Sequence, residues 1–299
     1  MTGPTGTRRD WNGMSINTPP GHASPSVAIV GAGRLGSALA RALRAAGAAV
    51  EGPLGRDAAP RSGTVLLCVP DAEIADAAGA VGATGFEPAT AAAKRFVGHV
   101  SGATPLTALA AAGGETFGLH PLQTFAGGEG PEAFRGAGAA IAGTTPEALG
   151  VARELALRLG MTPIEISDSE RPAYHAAASI ASNFLVTLQA SAEQLAAGAG
   201  IAPADARALL APLVRGTVEN WAERGPRDAL TGPVARGDHA TVARQREAVT
   251  RHAPHLTTLF DELVVCTAAV AAGSASTGQA PALGGGAASP PRLSKVVAA

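Results

Sequence analysis

The feature that most constrains this chain is a glycine-rich turn between a short apolar segment and an alanine-rich segment. In SVAIVGAGRLGSALARALRAAG the glycines Gly31, Gly33 and Gly36 are spaced as G-x-G-x-x-G. The residues before the turn predict a buried strand, and those after it predict a helix. The first glycine permits a tight turn, the second lets the backbone approach a pyrophosphate, and the third allows close helix–strand packing. The sequence therefore predicts a strand–turn–helix unit that binds a dinucleotide.

The following segments predict an α/β domain. Short apolar runs bounded by Gly, Pro or polar residues indicate strands, and Ala-rich stretches between them indicate helices. The strands are predicted at residues 26–30, 64–69, 96–100, 116–120, 137–142 and 163–166, and the helices at 34–46, 73–80, 105–112 and 146–159. This alternation predicts a Rossmann-type, doubly wound and mostly parallel sheet with helices on both faces.

Further along the chain the strand signals stop, and an all-α C-terminal domain is predicted. Apolar residues near the 3.6-residue period favour one long helix over residues 169–197. Pro203 suits the first turn of the next helix, and Asp238 is a candidate N-cap. Two more helical stretches follow, divided at Pro254.

The two ends are predicted to be disordered tails. Residues 1–24 and 273–299 are rich in small and polar residues and in proline, and they cannot bury enough apolar surface to offset the ordering entropy. The dinucleotide-binding domain is therefore expected at residues 25–167, and the helical substrate and dimerisation domain at 168–272.

Composition excludes several classes of protein. The 299 residues, 46% of them hydrophobic, suffice for two folded domains. The formal net charge of -1 and the lack of a basic run argue against nucleic-acid and membrane partners. No signal segment or spanning helix is visible, so a cytoplasmic location is expected. Cys68 and Cys266 lack metal-ligand spacing, so we expect two core residues and no metal site.

The end of the second strand decides between two cofactors. A carboxylate about 20 residues after the turn favours NAD, whereas an arginine favours NADP. Glu51 lies near the position where a carboxylate would favour NAD, but it is predicted to lie inside the strand. The strand is predicted to end near Arg56, which can pair with a 2′-phosphate. Arg34, next to Leu35 in the turn, adds positive charge. NADP(H) is therefore favoured, although Arg56 as a solvated loop residue is the alternative.

Three motifs follow predicted strands, where ligands gather in a doubly wound sheet. Val69 and Pro70 are expected to line the cofactor. Ser101 precedes a glycine whose small size leaves room for a nicotinamide. His120 and Gln123 are expected to point an imidazole and an amide into the crevice. Ordinary turn chemistry explains such residues equally well, above all Ser101.

The long predicted helix carries a polar stripe. His175, Ser179 and Asn183 are spaced four residues apart and share one face, with Tyr174 adjacent. Buried polar groups are costly unless they are paired or used. The stripe is therefore either part of a site or an interface between helices.

Six motifs together resemble a family of oxidoreductases known mainly as a domain of unknown function. They are GAGRLG, LLCVPDAEI, HVSGATPL, GLHPLQTF, YHAAASIASNFLVTL and LTGPVARGD, which span Val27 to Asp238 in the family's order. The family is similar to pyrroline-5-carboxylate reductase and ketopantoate reductase in the 6-phosphogluconate dehydrogenase-like superfamily. The resemblance implies a Rossmann domain followed by a helical domain that often forms a homodimer.

Related hydroxyacid dehydrogenases have a lysine on the corresponding helix, and neither lysine of this chain lies there. His175 or His120 would then be the acid, with Asn183 and Ser101 orienting the substrate; an already protonated imine needs no strong acid. Arg236 is a candidate partner for a substrate carboxylate.

The predicted function is NADP(H)-dependent reduction of a small carbonyl or imine, such as a 2-oxo acid. The alternatives are a non-catalytic NADP(H)-binding or sensing protein, and an interaction protein whose turn is vestigial.

Overall fold

The computed structural model describes residues 26–56, 58–86 and 93–273. These residues form two compact units that divide between Asn183 and Phe184. The two predicted tails lie outside the described residues, except for Gly273.

A seven-stranded sheet forms the centre of the first unit. The strands are β1 (Ser26–Val30), β2 (Ala49–Leu54), β3 (Thr64–Leu67), β4 (Phe96–His99), β5 (Glu115–Leu122), β6 (Gly138–Gly143) and β7 (Thr162–Glu165). Their order is β2-β1-β3-β4-β5-β6-β7, and the β5–β6 pair is antiparallel while the other pairs are parallel. The predicted mostly parallel sheet is confirmed.

Helices cover both faces of this sheet. They are α1 (Arg34–Ala45), α2 (Ile74–Ala83) and α3 (Pro146–Arg158), with a 3-10 helix at Leu106–Ala112 where the sequence predicts an α-helix. Successive residues of β1 alternate between the two cores, since Val27 and Ile29 pack with α1 and α3 while Ala28 and Val30 pack with α2. A strand buried on both faces has a continuous apolar sequence, which explains SVAIV.

The predicted helix over 169–197 is wrong at Ser182. Two helices occupy this segment, α4 (Arg171–Ala181) and α5 (Asn183–Gly198). Ser182, between them, has φ -115° and ψ -73°. The four-residue spacing that joins Ser179 to Asn183 therefore crosses a break.

The second unit contains the rest of α5 and three further helices. They are α6 (Pro203–Ala229), kinked at Gly225, α7 (His239–His252) and α8 (Thr257–Ala271). The predicted cap is confirmed, because the Asp238 carboxylate accepts a hydrogen bond of 3.0 Å from the Thr241 N–H. The predicted division at Pro254 is also confirmed.

A buried arginine places α4 in the first unit. Arg171 is 1% exposed, and its Nε donates to Asp168 at 2.7 Å. Its Nη1 donates to the Ser101 carbonyl oxygen at 3.3 Å, while Asp168 also accepts from the Leu106 N–H at 2.8 Å. These bonds connect α4 to β4 and the 3-10 helix. The structural division therefore lies after Asn183, beyond the boundary at residue 167 expected from sequence.

The cysteine prediction is half right. Cys68 is buried, and burial raises the pKa of its thiol to about 12, whereas Cys266 is exposed on α8. Among the described residues, none of the helices combines the length and apolar character needed to span a bilayer. Within the same part of the chain, no three His, Cys, Asp or Glu side chains are grouped as metal ligands would be.

We expect Arg171→Met to lower the free energy of unfolding by about 2 to 4 kcal/mol, because it removes the charge that satisfies Asp168 and the Ser101 carbonyl. Arg153→Met is the matched control, since it breaks the exposed Arg153–Glu165 pair and should cost less than about 1 kcal/mol. Urea unfolding measures both. Equal losses would contradict the structural role given to Arg171.

Candidate functional site

The glycine-rich turn connects β1 to α1, and its three glycines have different surroundings. Gly31 has φ 109°, and a Cβ there would collide with the Cys68 carbonyl oxygen. A Cβ on Gly36 would collide with the Gly31 carbonyl oxygen. Gly33 is different, because apart from its own chain neighbours no atom of the described residues lies within 4 Å of the place where its Cβ would be. Close packing thus explains why Gly31 and Gly36 lack side chains. At Gly33 the backbone is open to a ligand.

The turn fits the pyrophosphate of a dinucleotide. Gly33 is the N-cap of the 12-residue helix α1, and no side chain caps it. A helix N-terminus attracts anions through its N–H groups and dipole. Arg34 is exposed beside this N-terminus, while the Leu35 side chain packs on the core and leaves only its backbone for a ligand.

The carboxylate of Glu51 is already bound within the protein. It accepts hydrogen bonds from the backbone N–H groups of Arg61 and Ser62, each at 3.0 Å, and from the Ser62 hydroxyl at 3.0 Å. Glu51 pairs with Ala28 inside the β1–β2 ladder, before the strand ends at Leu54. Glu51 is therefore not presented at the edge of the sheet where a ribose would lie.

Arg56 follows the end of β2, as predicted. It is exposed, and its Nη1 lies 2.9 Å from Oε2 of Glu73, the residue before α2. This acidic partner was not predicted from the sequence.

Ser101 lies after β4, next to the segment that follows β3. Its hydroxyl bonds to Asp71 Oδ2 at 2.8 Å and to Thr104 Oγ1 at 2.9 Å. The same oxygen accepts from the Thr104 backbone N–H at 2.9 Å, and the Ser101 N–H donates to Nδ1 of the buried His99 at 3.2 Å. Val69 is half-buried just before Asp71. The Ser101 hydroxyl thus holds its own turn and positions Asp71.

Pro70 is exposed between Val69 and Asp71. Val69 and Pro70 therefore lie at the carboxyl end of β3, where the cofactor is predicted to bind.

His120, near the end of β5, meets two residues of α4. Its Nδ1 lies 2.8 Å from the Tyr174 hydroxyl oxygen, and its ring centroid lies 6.0 Å from that of His175. A Cβ on Gly102 would stand 2.8 Å from a carbon of the His175 ring and 2.9 Å from one of His120. The space beside Gly102 is thus occupied by imidazoles, whereas the sequence suggested room for a nicotinamide.

The environment keeps His120 and Tyr174 uncharged. Burial lowers the pKa of His120 to about 4, assisted by electrostatic interactions with His175 and Arg171 and opposed by Asp71. Burial likewise lowers the pKa of His99 to about 4 and raises the pKa of Tyr174. At neutral pH the pair shares one hydrogen bond and keeps one further hydrogen, on Nε2 of His120 or on the phenol, according to the tautomer.

The other predicted site residues are more scattered. Ser179 is half-buried on α4, and Asn183 is exposed at the start of α5, beyond the break. The Gln123 amide donates to the Ala133 carbonyl oxygen at 3.2 Å and so binds its own loop. Arg236 lies in the second unit, in the turn before α7. The roles given to these four residues stay predictions.

Four residues of this region were missed or underrated from sequence. Asp71 belongs to the motif Val69-Pro70-Asp71 that was expected to line the cofactor, but its hydrogen bond to Ser101 was not predicted. Tyr174 is the only tyrosine of the chain. Glu73 and Arg171 gave no such signal, because charged residues at helix starts are normally solvated.

Comparisons with known proteins agree with this architecture. Residues 138–266 match the family described as "Domain of unknown function (DUF2520)". Among curated protein sequences, none matches the chain.

Solved structures with the same fold come from several organisms. A Bacteroides fragilis protein, provisionally assigned as an NADP oxidoreductase, is 18% identical with a TM-score of 0.68 over 82% of this chain and 98% of that one. Protein TM1727 from Thermotoga maritima is 22% identical with a TM-score of 0.66 over 83% and 99%. Plasmodium falciparum pyrroline carboxylate reductase, with NADP bound, is 11% identical with a TM-score of 0.52 over 83% and 100%.

At these identities the likeness shows the fold. Residues 138–266 are therefore similar to the DUF2520 family, and the chain has a Rossmann-type fold that ends in helices, in agreement with the resemblance indicated by its sequence motifs.

Proposed function

We propose that this protein is an NADP(H)-dependent oxidoreductase that reduces a small carbonyl or imine substrate. One observation carries the proposal: the dinucleotide turn and a polar cluster lie at the carboxyl ends of neighbouring strands. The turn follows β1, Asp71 follows β3, Ser101 follows β4, and His120 is near the end of β5. This edge is where ligands bind in doubly wound sheets.

The cofactor would be held by the turn and by the segments after β2 and β3. The backbone at Gly33 and the start of α1 would bind the pyrophosphate, with Arg34 adding charge. Arg56 would pair with the 2′-phosphate, and Val69 and Pro70 would line the bound molecule. A nicotinamide dinucleotide supplies a hydride to the substrate when it is bound. The NADP found in the Plasmodium reductase of the same fold supports this choice.

The His120–Tyr174 pair would supply the proton. Reduction of a carbonyl places negative charge on oxygen, and a positioned donor stabilises that charge and protonates it. In this proposal the donated hydrogen is the one that the two residues do not share, and it lies on Nε2 of His120 or on the Tyr174 hydroxyl. His175, packed beside His120, helps to hold the ring in place.

The charge state of His120 bears on the substrate. A neutral imidazole cannot form an ion pair with a carboxylate, so His120 does not favour a 2-oxo acid at neutral pH. Arg236 remains the candidate partner for such a carboxylate. A neutral carbonyl or an imine fits the polar cluster of the first unit better.

We also propose that the protein is a homodimer formed through the second unit. Helices α5 and α6 border an apolar groove of about 440 Å³, which Val186, Ala190, Leu210 and Val214 help to line. Leu213 of α6 is 65% exposed. Exposed apolar surface of this kind indicates an interaction site, and the resemblance to dimeric proteins favours a second copy as the partner.

The catalytic role predicts that Tyr174→Phe and His120→Asn each lower kcat by about a hundredfold or more, because each removes either the proton donor or the group hydrogen-bonded to it. Turnover is followed as NADPH oxidation with cyclic imines, aldehydes, ketones and 2-oxo acids. NADPH affinity should change little, since neither residue is assigned to the cofactor.

The control is His255→Asn, an exposed histidine of the second unit. Unchanged turnover in both site variants would exclude the pair as donor. Tight NADPH binding without turnover on any substrate would instead support the non-catalytic alternative.

The buried histidines predict that stability falls as the pH is lowered. A histidine pKa is about 6.5 in an unfolded chain, and those of His99 and His120 are lowered to about 4 in the fold. Between these values the unfolded chain binds more protons, so each histidine's contribution is complete above the unfolded pKa. As the pH falls from the unfolded pKa towards the folded pKa, each histidine's contribution to the free energy of unfolding decreases by up to about 1.4 kcal/mol per pH unit.

Urea unfolding between about pH 7 and pH 5 measures this slope. We expect His120→Gln to make it shallower and His239→Gln, on the exposed start of α7, to leave it unchanged. Stability that stays constant or rises as the pH falls would contradict the assigned charge state.

The homodimer proposal predicts a mass of about twice 29.4 kDa by light scattering of the intact protein. Leu213→Asp should shift the population towards monomer, because it places a charge on the apolar surface. Leu157→Asp is the control, since Leu157 is 52% exposed but lies on α3 of the first unit. A wild-type protein of monomer mass would overturn this proposal.

A further inference from the structure

A small charged cavity lies where the cofactor's ribose end is expected. It has a volume of about 240 Å³ and is lined by Arg56, Glu73, Asp76, Ala77 and Ala80. One cation therefore faces two carboxylates on its wall. The Arg56 guanidinium lies 2.9 Å from the Glu73 carboxylate, and their side chains are 64% and 35% exposed.

The topology explains why these two residues meet. Strand β1 lies between β2 and β3 in the sheet. Arg56 follows β2, whose last residue Leu54 accepts a hydrogen bond of 2.8 Å from the Gly31 N–H of the glycine-rich turn. Glu73 arrives from the segment after β3. The ion pair thus crosses the carboxyl end of β1, beside the turn that would hold the pyrophosphate.

The internal bonds of Glu51 make Arg56 the decisive residue for cofactor choice. NAD-selective sites present a carboxylate to the ribose hydroxyls, and the Glu51 carboxylate is bound to Arg61 and Ser62 instead. Discrimination between NADP(H) and NAD(H) therefore depends on how readily Arg56 reaches a 2′-phosphate.

We propose that Glu73 is a specificity-determining residue that competes with the 2′-phosphate of NADP(H) for Arg56 and so limits the preference for NADP(H) over NAD(H). The inference rests on the proposed function, in which Arg56 binds that phosphate. Guanidinium groups pair with carboxylates and phosphates through the same two-pronged geometry, so the two anions exclude each other. The carboxylates of Glu73 and Asp76 also repel a phosphate that enters the cavity.

The size of the effect on cofactor affinity follows from the solvent exposure of the Arg56–Glu73 ion pair. A solvent-exposed ion pair stabilises a protein only weakly, so the phosphate can displace Glu73. The pair therefore reduces NADP(H) affinity without preventing binding. NAD(H) has a hydroxyl at this position, carries no competing charge, and should be nearly indifferent to Glu73.

The test is a fluorescence titration of the full chain with NADPH and, separately, with NADH. We expect Glu73→Gln to tighten NADPH binding by about two- to fivefold, since it releases Arg56 from a weak ion pair and removes one repelling charge. NADH affinity should change by less than about twofold. Glu73→Asp, which keeps the charge on a shorter side chain, should give an intermediate gain.

Three further variants isolate the mechanism. Asp76→Asn removes the same charge from the same cavity wall without breaking the ion pair, so its effect should be less than half that of Glu73→Gln. In an Arg56→Ala background, Glu73→Gln should lose most of its effect. Gly33→Ala should weaken NADPH and NADH alike, because both carry the pyrophosphate.

The outcomes separate this inference from the proposed function. If the wild-type protein binds NADPH but Glu73→Gln leaves the NADPH-to-NADH affinity ratio unchanged, the role of Glu73 is overturned and the proposed function stands. An undiminished effect in the Arg56→Ala background also overturns it. Failure to bind either dinucleotide overturns both. A gain confined to NADPH, and dependent on Arg56, establishes the competition.

Discussion

Arg171 is the residue on which the arrangement of the candidate site depends. Its guanidinium is buried, which is costly unless the charge is paired and its hydrogens are bonded. The bonds to Asp168 and to the Ser101 carbonyl oxygen satisfy that need, and they fix the start of α4 against the end of β4. Tyr174 lies one turn further along α4 and therefore reaches His120. The same positive charge helps to keep His120 neutral. Arg171 thus fixes the geometry of the site, and its charge adds to burial, the main cause, in keeping His120 neutral.

The sequence predicted those features that arise from local patterns. The glycine spacing identified the turn, and the apolar runs identified the strands, because a strand buried on both faces has few polar residues. The break at Ser182 was not predicted, since the apolar period of Ile180, Phe184 and Leu188 continues across it. Contacts between segments that are distant in the chain also could not be predicted from the sequence. The Glu51 carboxylate is bound by the turn at residues 61–62, and only the folded chain shows which residues it meets.

In the proposed function, the carboxyl edge of the sheet serves two tasks. Next to the glycine-rich turn, Arg56 and Glu73 form an ion pair where the identity of the cofactor would be read. At β5, three strands away from β1, His120 and Tyr174 form an uncharged hydrogen-bonded pair beside the Asp71–Ser101 hydrogen bond. An uncharged donor stabilises developing negative charge without needing a free cation, which suits a chain that has no lysine on its candidate helix.

A crystal structure of the protein with bound NADP⁺ tests the central claim most directly. The pyrophosphate should lie over Gly33, and the nicotinamide should extend towards His120 and Tyr174. The space beside its C4 atom should place a substrate atom within about 3.5 Å of the His120–Tyr174 pair. A nicotinamide turned away from this pair, or a dinucleotide bound elsewhere on the protein, would contradict the proposed reductase site.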